Sequence, residues 1–240
     1  MRLRVASYNI HRGFGRDGRY EPQRILQVLQ EMEADIIALQ EVDVPASGAN
    51  QILPWLAAQI KMTALAGPVQ SRPEGDYGNA LLTKLPVEEV RRWDLSVEGH
   101  EPRGVLDIDI DWNGRSIQVL NTHLGLWPTE RARQVQRLLK LIDLKHRKLT
   151  ILMGDLNEWC VWGKSLRILR RVFDCAEAPL TFPSGWPMLA LDRIWVAPAP
   201  ALVRVHAHKT PLSETASDHL PIRAEIDLGR EENVLMQAEG

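Results

Sequence analysis

The 240-residue sequence predicts an α/β fold in which two mixed β-sheets pack face to face, with helices on the outside. Three observations support this prediction: short apolar runs alternate with segments of helical periodicity, a strong hairpin turn joins two alternating runs, and one strand-helix-strand unit recurs at a fixed distance. The composition, 45% hydrophobic and 25% charged, is typical of a globular protein.

The first unit begins with a predicted strand at residues 3–10. Pro22 opens a helix whose apolar face runs from Ile25 to Met32, and the short apolar run 35–39 is typical of a strand buried on both faces. The second unit repeats this order, with a strand at 117–120, a long helix containing Val135 to Ile142, and a buried strand at 149–153.

The spacing within the two units is the same. Glu41 follows Asn9 by 32 positions, and Asp155 follows His123 by 32, so the units are offset by 114. The same offset relates Gly78 to Asp192 and Gly104 to Asp218. This pattern predicts a pseudo-two-fold internal repeat.

The remaining alternating or apolar runs predict strands, and Asn113-Gly114 predicts a two-residue hairpin. No low-complexity linker separates the halves, so we expect a single domain over residues 1–228, followed by a loose tail at 229–240 that lacks periodicity. The additional strands are predicted at 80–83, 87–93, 105–110, 194–196, 202–206 and 222–226.

Charge and cysteine content narrow the functional classes. With 29 Lys plus Arg against 31 Asp plus Glu, the net charge of −2 argues against a nonspecific nucleic-acid coat, although a local basic patch stays open. Cys160 and Cys175 cannot form a four-cysteine metal site, and free thiols are favoured over a disulfide. Without a signal-peptide core or an 18-residue apolar run, we expect a cytoplasmic protein.

Polar residues gather where the predicted strands end. They supply hard oxygen ligands and imidazoles but no thiolate, which suits Mg²⁺ or Mn²⁺ together with phosphoryl chemistry. Each strand end alone could be an ordinary solvated turn; the coincidence of four of them favours a site. The set is Asn9, Glu41, His123, Asp155, Asn157, Asp192, Asp218 and His219.

These segments resemble the ordered motifs of the endonuclease/exonuclease/phosphatase superfamily, the fold of pancreatic deoxyribonuclease. The resemblance spans residues 3–227 and implies a four-layer α/β sandwich. It rests on seven segments in order: Ser7-Tyr-Asn-Ile, Leu39-Gln-Glu-Val, Tyr77-Gly-Asn-Ala-Leu-Leu, Asn121-Thr-His, Gly154-Asp-Leu-Asn, Leu191-Asp-Arg-Ile and Ser217-Asp-His-Leu-Pro.

The resemblance implies that Glu41 is a principal metal ligand, with Asn9 beside it and Asp218 nearby, for one or two ions of Mg²⁺ or Mn²⁺. It further implies that Asp155 and Asn157 position or deprotonate the attacking water.

On the phosphate side, the resemblance implies that His219 contacts the scissile phosphate, oriented by Asp192, and that His123 binds the phosphate from the other half. Arg103 resembles the family's phosphate-contacting arginine, although a solvated strand-edge arginine would look the same. Asn79 stands roughly where pancreatic deoxyribonuclease has a glutamate, so it would hold His123 or contact phosphate.

The expected function is therefore divalent-metal-dependent phosphodiester hydrolysis by in-line attack of an activated water. The alternatives are a DNA endonuclease of the nicking or abasic-site repair type, a lipid phosphodiesterase, and a degenerate phosphate-binding module without catalysis. The fold does not fix the substrate, which could be a small diester, a lipid head group or a nucleic acid. No stable protein partner is implied.

Tryptophan is unusually frequent, with eight residues against three Phe and three Tyr. Four of them lie within seven residues of a predicted site residue: Trp127, Trp159, Trp162 and Trp186. We hypothesise an aromatic rim, represented above all by Trp127 and Trp186, that stacks a base or covers an apolar alcohol group. The alternative is that these side chains cap the core.

Overall fold

The computed structural model describes residues 2–45, 51–73, 75–142, 149–173 and 178–229. Cys175 and residues 230–240 of the expected tail lie outside this part, whereas Cys160 is a free thiol. The chain forms, in order, β1 (Arg2–Asn9), α1 (Pro22–Met32), β2 (Ile36–Pro45), α2 (Ile52–Ile60), β3 (Thr63–Arg72), β4 (Gly75–Thr83), β5 (Val87–Asp94), β6 (Gly104–Asp111), β7 (Ser116–His123), α3 (Pro128–Leu138), β8 (Thr150–Asp155), α4 (Lys164–Leu169), β9 (Asp192–Ala197), β10 (Leu202–Ala207), α5 (Ser213–Ala216) and β11 (Ile222–Asp227).

The strands form two mixed sheets. Sheet A has the order β10-β11-β1-β2-β4-β3, and sheet B has the order β5-β6-β7-β8-β9. Each sheet has one parallel pair, β1 with β2 and β7 with β8, and α1 or α3 lies in the connection. The order β11-β1-β2-β4 thus corresponds to β6-β7-β8-β9, which confirms the pseudo-two-fold repeat predicted from the offset.

Side-chain alternation divides the core into three layers. Inward-facing residues such as Val5 and Ile36 of sheet A meet Ile108 and Val119 of sheet B in a dry interface between the sheets. The outer face of sheet A packs against α1 and α2, and the outer face of sheet B packs against α3 and α4. Helix, sheet, sheet and helix make the four-layer sandwich that the resemblance implied.

Buried amides also tie the two sheets together near the ends of the parallel strands. Gln40 of β2 donates through Nε2 to Asn121 Oδ1 of β7 at 2.8 Å. Asn121 Nδ2 donates back to the carbonyls of Leu39 and Ala80, at 3.0 and 2.7 Å. Because both side chains are fully buried, these bonds fix the position of one sheet edge relative to the other.

The secondary structure predicted from the local sequence differs from the observed one in three places. β3 was not predicted because it contains Gly67 and Pro68; it is tolerated as an edge strand that pairs only with β4. The short helix α2 was missed as well. The helix expected to include Ile142 ends its regular α-geometry at Leu138 and continues as a 3₁₀ turn. The hairpin at Asn113-Gly114 is present, with positive φ at both residues as its turn type requires.

Among the residues that the structure describes, no helix is both long enough and apolar enough to cross a membrane.

Candidate active site

The carboxyl ends of the parallel strands place four polar side chains at one edge of the sandwich. Asn9 ends β1 and pairs in register with Gln40, next to Glu41, whereas His123 ends β7 directly opposite Asp155 on β8. Asn9 links the sheets, since its Nδ2 donates to Glu41 Oε1 at 3.0 Å and to Asp155 Oδ2 at 3.2 Å. The two halves therefore meet at a shared polar centre.

Asp155 is held by the backbone that follows it. Its Oδ1 accepts the N–H of Asn157 at 2.9 Å, and Asn157 has a positive φ. Gly154, also at positive φ, runs so close to β7 that a Cβ would overlap the carbonyl oxygen of Thr122. The Gly-Asp-x-Asn segment thus combines a close backbone approach with a tight turn that points both polar side chains towards the site.

Glu41 lies at an irregularity in β2. The pairing with β4 shifts between Leu39 and Val42, and Glu41 adopts a positive φ that is uncommon for a non-glycine residue. Burial raises the pKa of this carboxyl, and the negative charges of Asp218 and Asp155 add to the increase, although Asn9 and His11 oppose it. Several carboxylates therefore share a confined space, and a bound cation would relieve their mutual repulsion.

The donor set around Glu41 fits a hard divalent ion, because it offers carboxylate oxygens and no thiolate. Asp218 is one third exposed and faces the same space, with His11 Nδ1 3.8 Å from its Oδ1. Asn9 points its NH₂ group at Glu41, since its Oδ1 accepts the backbone N–H of His11 at 3.0 Å. In this arrangement Asn9 orients Glu41 rather than offering a ligand oxygen.

Asp155, Asp192 and His219 form a second, buried cluster, in which one candidate ligand atom from each residue lies within 4.8 Å of the others. Within it, His219 Nδ1 lies 2.9 Å from Asp192 Oδ2, and its Nε2 lies 3.7 Å from Asp155 Oδ2. Burial alone would lower the pKa of His219, but the charges of Asp192 and Asp155 and the hydrogen bond to Asp192 outweigh it and raise the pKa to about 10. The imidazolium therefore offsets one of the two carboxylate charges of the cluster.

A β-bridged loop supports this histidine. Thr181 Oγ1 donates to Asp192 Oδ2 at 2.6 Å, and the Phe182 ring packs on the His219 ring with centroids 4.9 Å apart. Phe182 pairs with Leu189 in an isolated bridge, so residues 181–189 form a small hairpin beside the site. Sequence reasoning missed Thr181 and Phe182, because only the tertiary position of this hairpin brings them to the dyad.

His123 lies in a different electrostatic environment. Burial, together with the charges of Arg103 and His219, lowers its pKa to about 3, and the charge of Asp155 only partly compensates. Arg103 Nη1 lies 3.4 Å from Nδ1, while Asn157 Nδ2 and Asp155 Oδ2 lie 3.0 and 3.4 Å from Nε2. A guanidinium and an amide NH₂ both donate, so only one of them can bond the neutral ring in any one tautomer.

Arg103 is a buried residue, not a solvated strand-edge arginine, with only 5% of its surface exposed. Its Nη2 donates to Glu101 at 2.8 Å, whereas its Nε is buried and has no hydrogen-bond partner in the described part of the chain. It lines a narrow cleft together with Glu41, Tyr77, Asn79 and His123. A buried guanidinium with an unused donor at such a cleft is ready to bind an anion.

Among the described residues, Asn79 makes no hydrogen bond to His123. Its Nδ2 donates to the carbonyl of Gly104 at 3.2 Å, and its side chain lines the cleft. A groove of about 230 Å³ adjoins this cleft and shares Val69 and Arg103 with it. The groove is further lined by Gly67, Pro68, Arg92, Trp93, Asp94, Gly104 and Val105.

The four tryptophans of the hypothesised rim do not cap the core. Trp127, Trp162 and Trp186 are 63%, 80% and 76% exposed, and Trp159 is exposed to a similar extent. They lie on the loops that follow β7 and β8 and on the hairpin that precedes β9. Because β9 runs antiparallel to β8 with Asp155 opposite Asp192, all three segments surround the same edge of sheet B.

The fold and the polar segments at its strand ends are those of a known protein family. The family model described as the endonuclease/exonuclease/phosphatase family matches residues 6–219, and the chain belongs to that family. Its members hydrolyse phosphate esters and typically depend on divalent metal ions.

Individual relatives agree with this membership. The chain is 32% identical to YbhP of Escherichia coli K12, over 94% of this chain and 96% of YbhP. The fold is shared with an endonuclease/exonuclease/phosphatase from Beutenbergia cavernae (20% identity, TM-score 0.75, covering 94% of this chain and 71% of that chain). It is also shared with a mannosyl-6-phosphatase of Bacteroides thetaiotaomicron (18% identity, TM-score 0.74, covering 92% and 98%).

Proposed function

We propose that this protein is a metal-dependent phosphodiesterase. The observation that supports it most directly is the convergence on Asp155 Oδ2, which Asn9 Nδ2, His123 Nε2 and His219 Nε2 approach within 3.2, 3.4 and 3.7 Å. Carboxylate, amide and two imidazoles from both sheets thus surround one point where a water and a phosphate can meet. We propose residues 1–228 as one catalytic domain, because both sheets contribute to this point.

Glu41 and Asp218 would hold the divalent ion, with Asn9 orienting Glu41. When bound, that ion neutralises phosphate charge and lowers the pKa of a coordinated water. The Arg103 guanidinium would bind a non-bridging phosphate oxygen, with Asn79 at the wall of the same cleft.

In the hydrolytic step, Asp155 acts as the proton acceptor and His219 as the proton donor. Asp155, positioned by the Asn157 N–H, accepts a proton from the water as its oxygen attacks phosphorus. His219 in its imidazolium form gives its Nε2 proton to the departing alcohol oxygen as that P–O bond breaks, and it recovers a proton from Asp155. Asp192 holds His219 Nδ1 throughout, and His123 donates to the phosphate. The products are a phosphate monoester and an alcohol.

Room on both sides of the site favours a diester over a monoester. A phosphodiester has an organic group on each side of phosphorus, and the site lies between the groove next to Arg103 and the exposed tryptophan loops. A monoester has only one organic group and would fill only one of these two spaces.

The test is hydrolysis of bis(4-nitrophenyl) phosphate compared with 4-nitrophenyl phosphate and supercoiled plasmid, each with Mg²⁺, Mn²⁺ or EDTA. We expect metal-dependent cleavage of the small diester, and a decrease in kcat of about 10²–10⁴-fold for Asp155→Asn and for His219→Gln. The matched control is His206→Gln, an exposed histidine on the edge strand β10, which should retain wild-type kcat. Preference for the monoester, or plasmid nicking at low enzyme concentration, would replace the proposal with a phosphatase or an endonuclease.

A further inference from the structure

Three segments at the mouth of the site carry large apolar side chains into solvent. They are residues 124–127, residues 159–163 and residues 182–188, and together they are called the rim loops here. Besides the four tryptophans, Leu126, Val161 and Met188 are exposed on them. Exposed apolar groups that cluster at one place usually mark an interaction surface.

The rim loops contain no charged residue, although a quarter of the whole sequence is charged. Their sequences are Leu-Gly-Leu-Trp, Trp-Cys-Val-Trp-Gly and Phe-Pro-Ser-Gly-Trp-Pro-Met. Cations lie at their borders: exposed Lys164 follows the second loop, and Arg16 packs over Gly185 of the third. An uncharged apolar tip bordered by cations is the pattern of a surface that enters the interface of an anionic bilayer.

Two of the loops are fixed from below by a buried ion pair. Arg131 Nε donates to Glu158 Oε2 at 3.2 Å, and Arg131 Nη1 donates to the carbonyls of Gly125 and Leu126 at 3.2 and 2.6 Å. Ser165 Oγ donates to the same Glu158 oxygen at 2.6 Å. The tryptophans are therefore held outward on an ordered base, which lowers the entropy lost when they bind.

The third loop continues directly into the catalytic residues. It is the tip of the hairpin whose Thr181 binds Asp192 and whose Phe182 packs on His219. A surface that receives the rim loops thus comes to lie next to the residues proposed to bind the phosphate.

We propose that the rim loops dock on a lipid bilayer and present a lipid phosphodiester to the site; the substrate part of this inference rests on the proposed function. Aliphatic side chains such as Leu126, Val161 and Met188 suit acyl chains, whereas they offer no flat face for a nucleobase. Binding a nucleic-acid backbone would also need several aligned cations, which the rim loops lack.

Binding is tested without catalysis, by co-sedimentation of the full chain with vesicles of equal parts phosphatidylcholine and phosphatidylglycerol, and by the blue shift of tryptophan fluorescence. Trp127→Ser, Trp162→Ser and Trp186→Ser should each weaken vesicle binding about tenfold. The matched control is Trp55→Ser, a half-buried tryptophan on α2 outside both the rim loops and the groove, which should bind as the wild type does.

The proposal is overturned if the wild type stays in the supernatant, if the rim and control variants bind vesicles equally, or if a single-stranded oligonucleotide displaces the protein from vesicles. Hydrolysis of bis(4-nitrophenyl) phosphate by the wild type is measured in parallel. Vesicle binding without hydrolysis of that diester would contradict the proposed function and leave the docking surface supported. Hydrolysis of the diester without vesicle binding would support the proposed function and contradict the docking surface.

Discussion

The Arg131–Glu158 pair gives the sharpest test of how the site loops are held. Both side chains are almost fully buried, at 4% and 3% exposure, and Arg131 makes three of the bonds that shape residues 125–126 and 158. Arg131→Met keeps the apolar stem but removes the guanidinium. Among the described residues, the Glu158 carboxylate then keeps only the bonds from Ser165 and the Cys160 N–H.

Breaking one side of a buried ion pair costs about 3–5 kcal/mol, because the remaining charge stays out of water. For a chain of this size, each kcal/mol lowers Tm by about 2–4 °C, so Arg131→Met should lower Tm by about 6–20 °C. Glu158→Gln should have a similar effect. The double variant should be more stable than the sum of the two single changes predicts, since neither charge is then left alone.

Thermal unfolding followed by circular dichroism measures this effect, with Arg133→Met as the control. Arg133 lies two residues further along α3 and is exposed, so its replacement should shift Tm by less than about 2 °C. If Arg131→Met and Arg133→Met have the same Tm, or if the two single changes simply add, the pair does not hold the loops.

Three further predictions concern the metal, the backbone and the contact between the sheets. Mg²⁺ or Mn²⁺ at about 100 times its Kd should raise the free energy of unfolding by about 2.7 kcal/mol, and Glu41→Gln should abolish the rise; an equal calorimetric shift in both proteins contradicts the assignment of Glu41. Gly154→Ala should cost on the order of 3 kcal/mol or more, because its Cβ overlaps the Thr122 carbonyl, whereas Gly114→Ala, at positive φ in open space, should cost only about 1 kcal/mol in urea denaturation. Asn121→Ala should lower the free energy of unfolding by about 2–4 kcal/mol, because it removes the hydrogen-bond partner of the Leu39 and Ala80 carbonyls and of the Gln40 amide. A loss below about 1 kcal/mol in urea denaturation would show that water replaces these bonds.

The architecture was predictable because its elements carry local and repeated signals. Parallel strands that are buried on both faces give continuous apolar runs, and each run here ends in a polar residue at the same separation. Asn9 with Glu41 and His123 with Asp155 could therefore be assigned to one sheet edge from the sequence alone. The edge strand β3 gave no such signal, because Pro68 and Gly67 lower strand propensity and the strand is stabilised by tertiary contacts, namely pairing with β4 and packing of Leu65 and Ala66 on the cores.

The environment of the site residues was not predictable, because burial is a tertiary property. Nothing local distinguishes Arg103 in the core from an arginine in solvent, or Trp186 in solvent from a tryptophan in the core. The two histidines differ for the same reason: His219 has a buried carboxylate on Nδ1, whereas His123 has a guanidinium there. Their positions at the ends of predicted strands identified both residues as site candidates, and the packing determined their opposite pKa shifts.

The pairing of β1 with β11 has a consequence for how the protein is made. Arg2 lies opposite Asp227, so a central strand of sheet A lacks one neighbour until the ribosome has produced nearly all of the described chain. His219 comes just before β11, and its partner Asp192 belongs to the other sheet. Closing so long a loop is entropically slow, and until it closes the edge of β1 that pairs with β11 stays unpaired. A nascent chain therefore has no complete histidine dyad until residue 219 has been added.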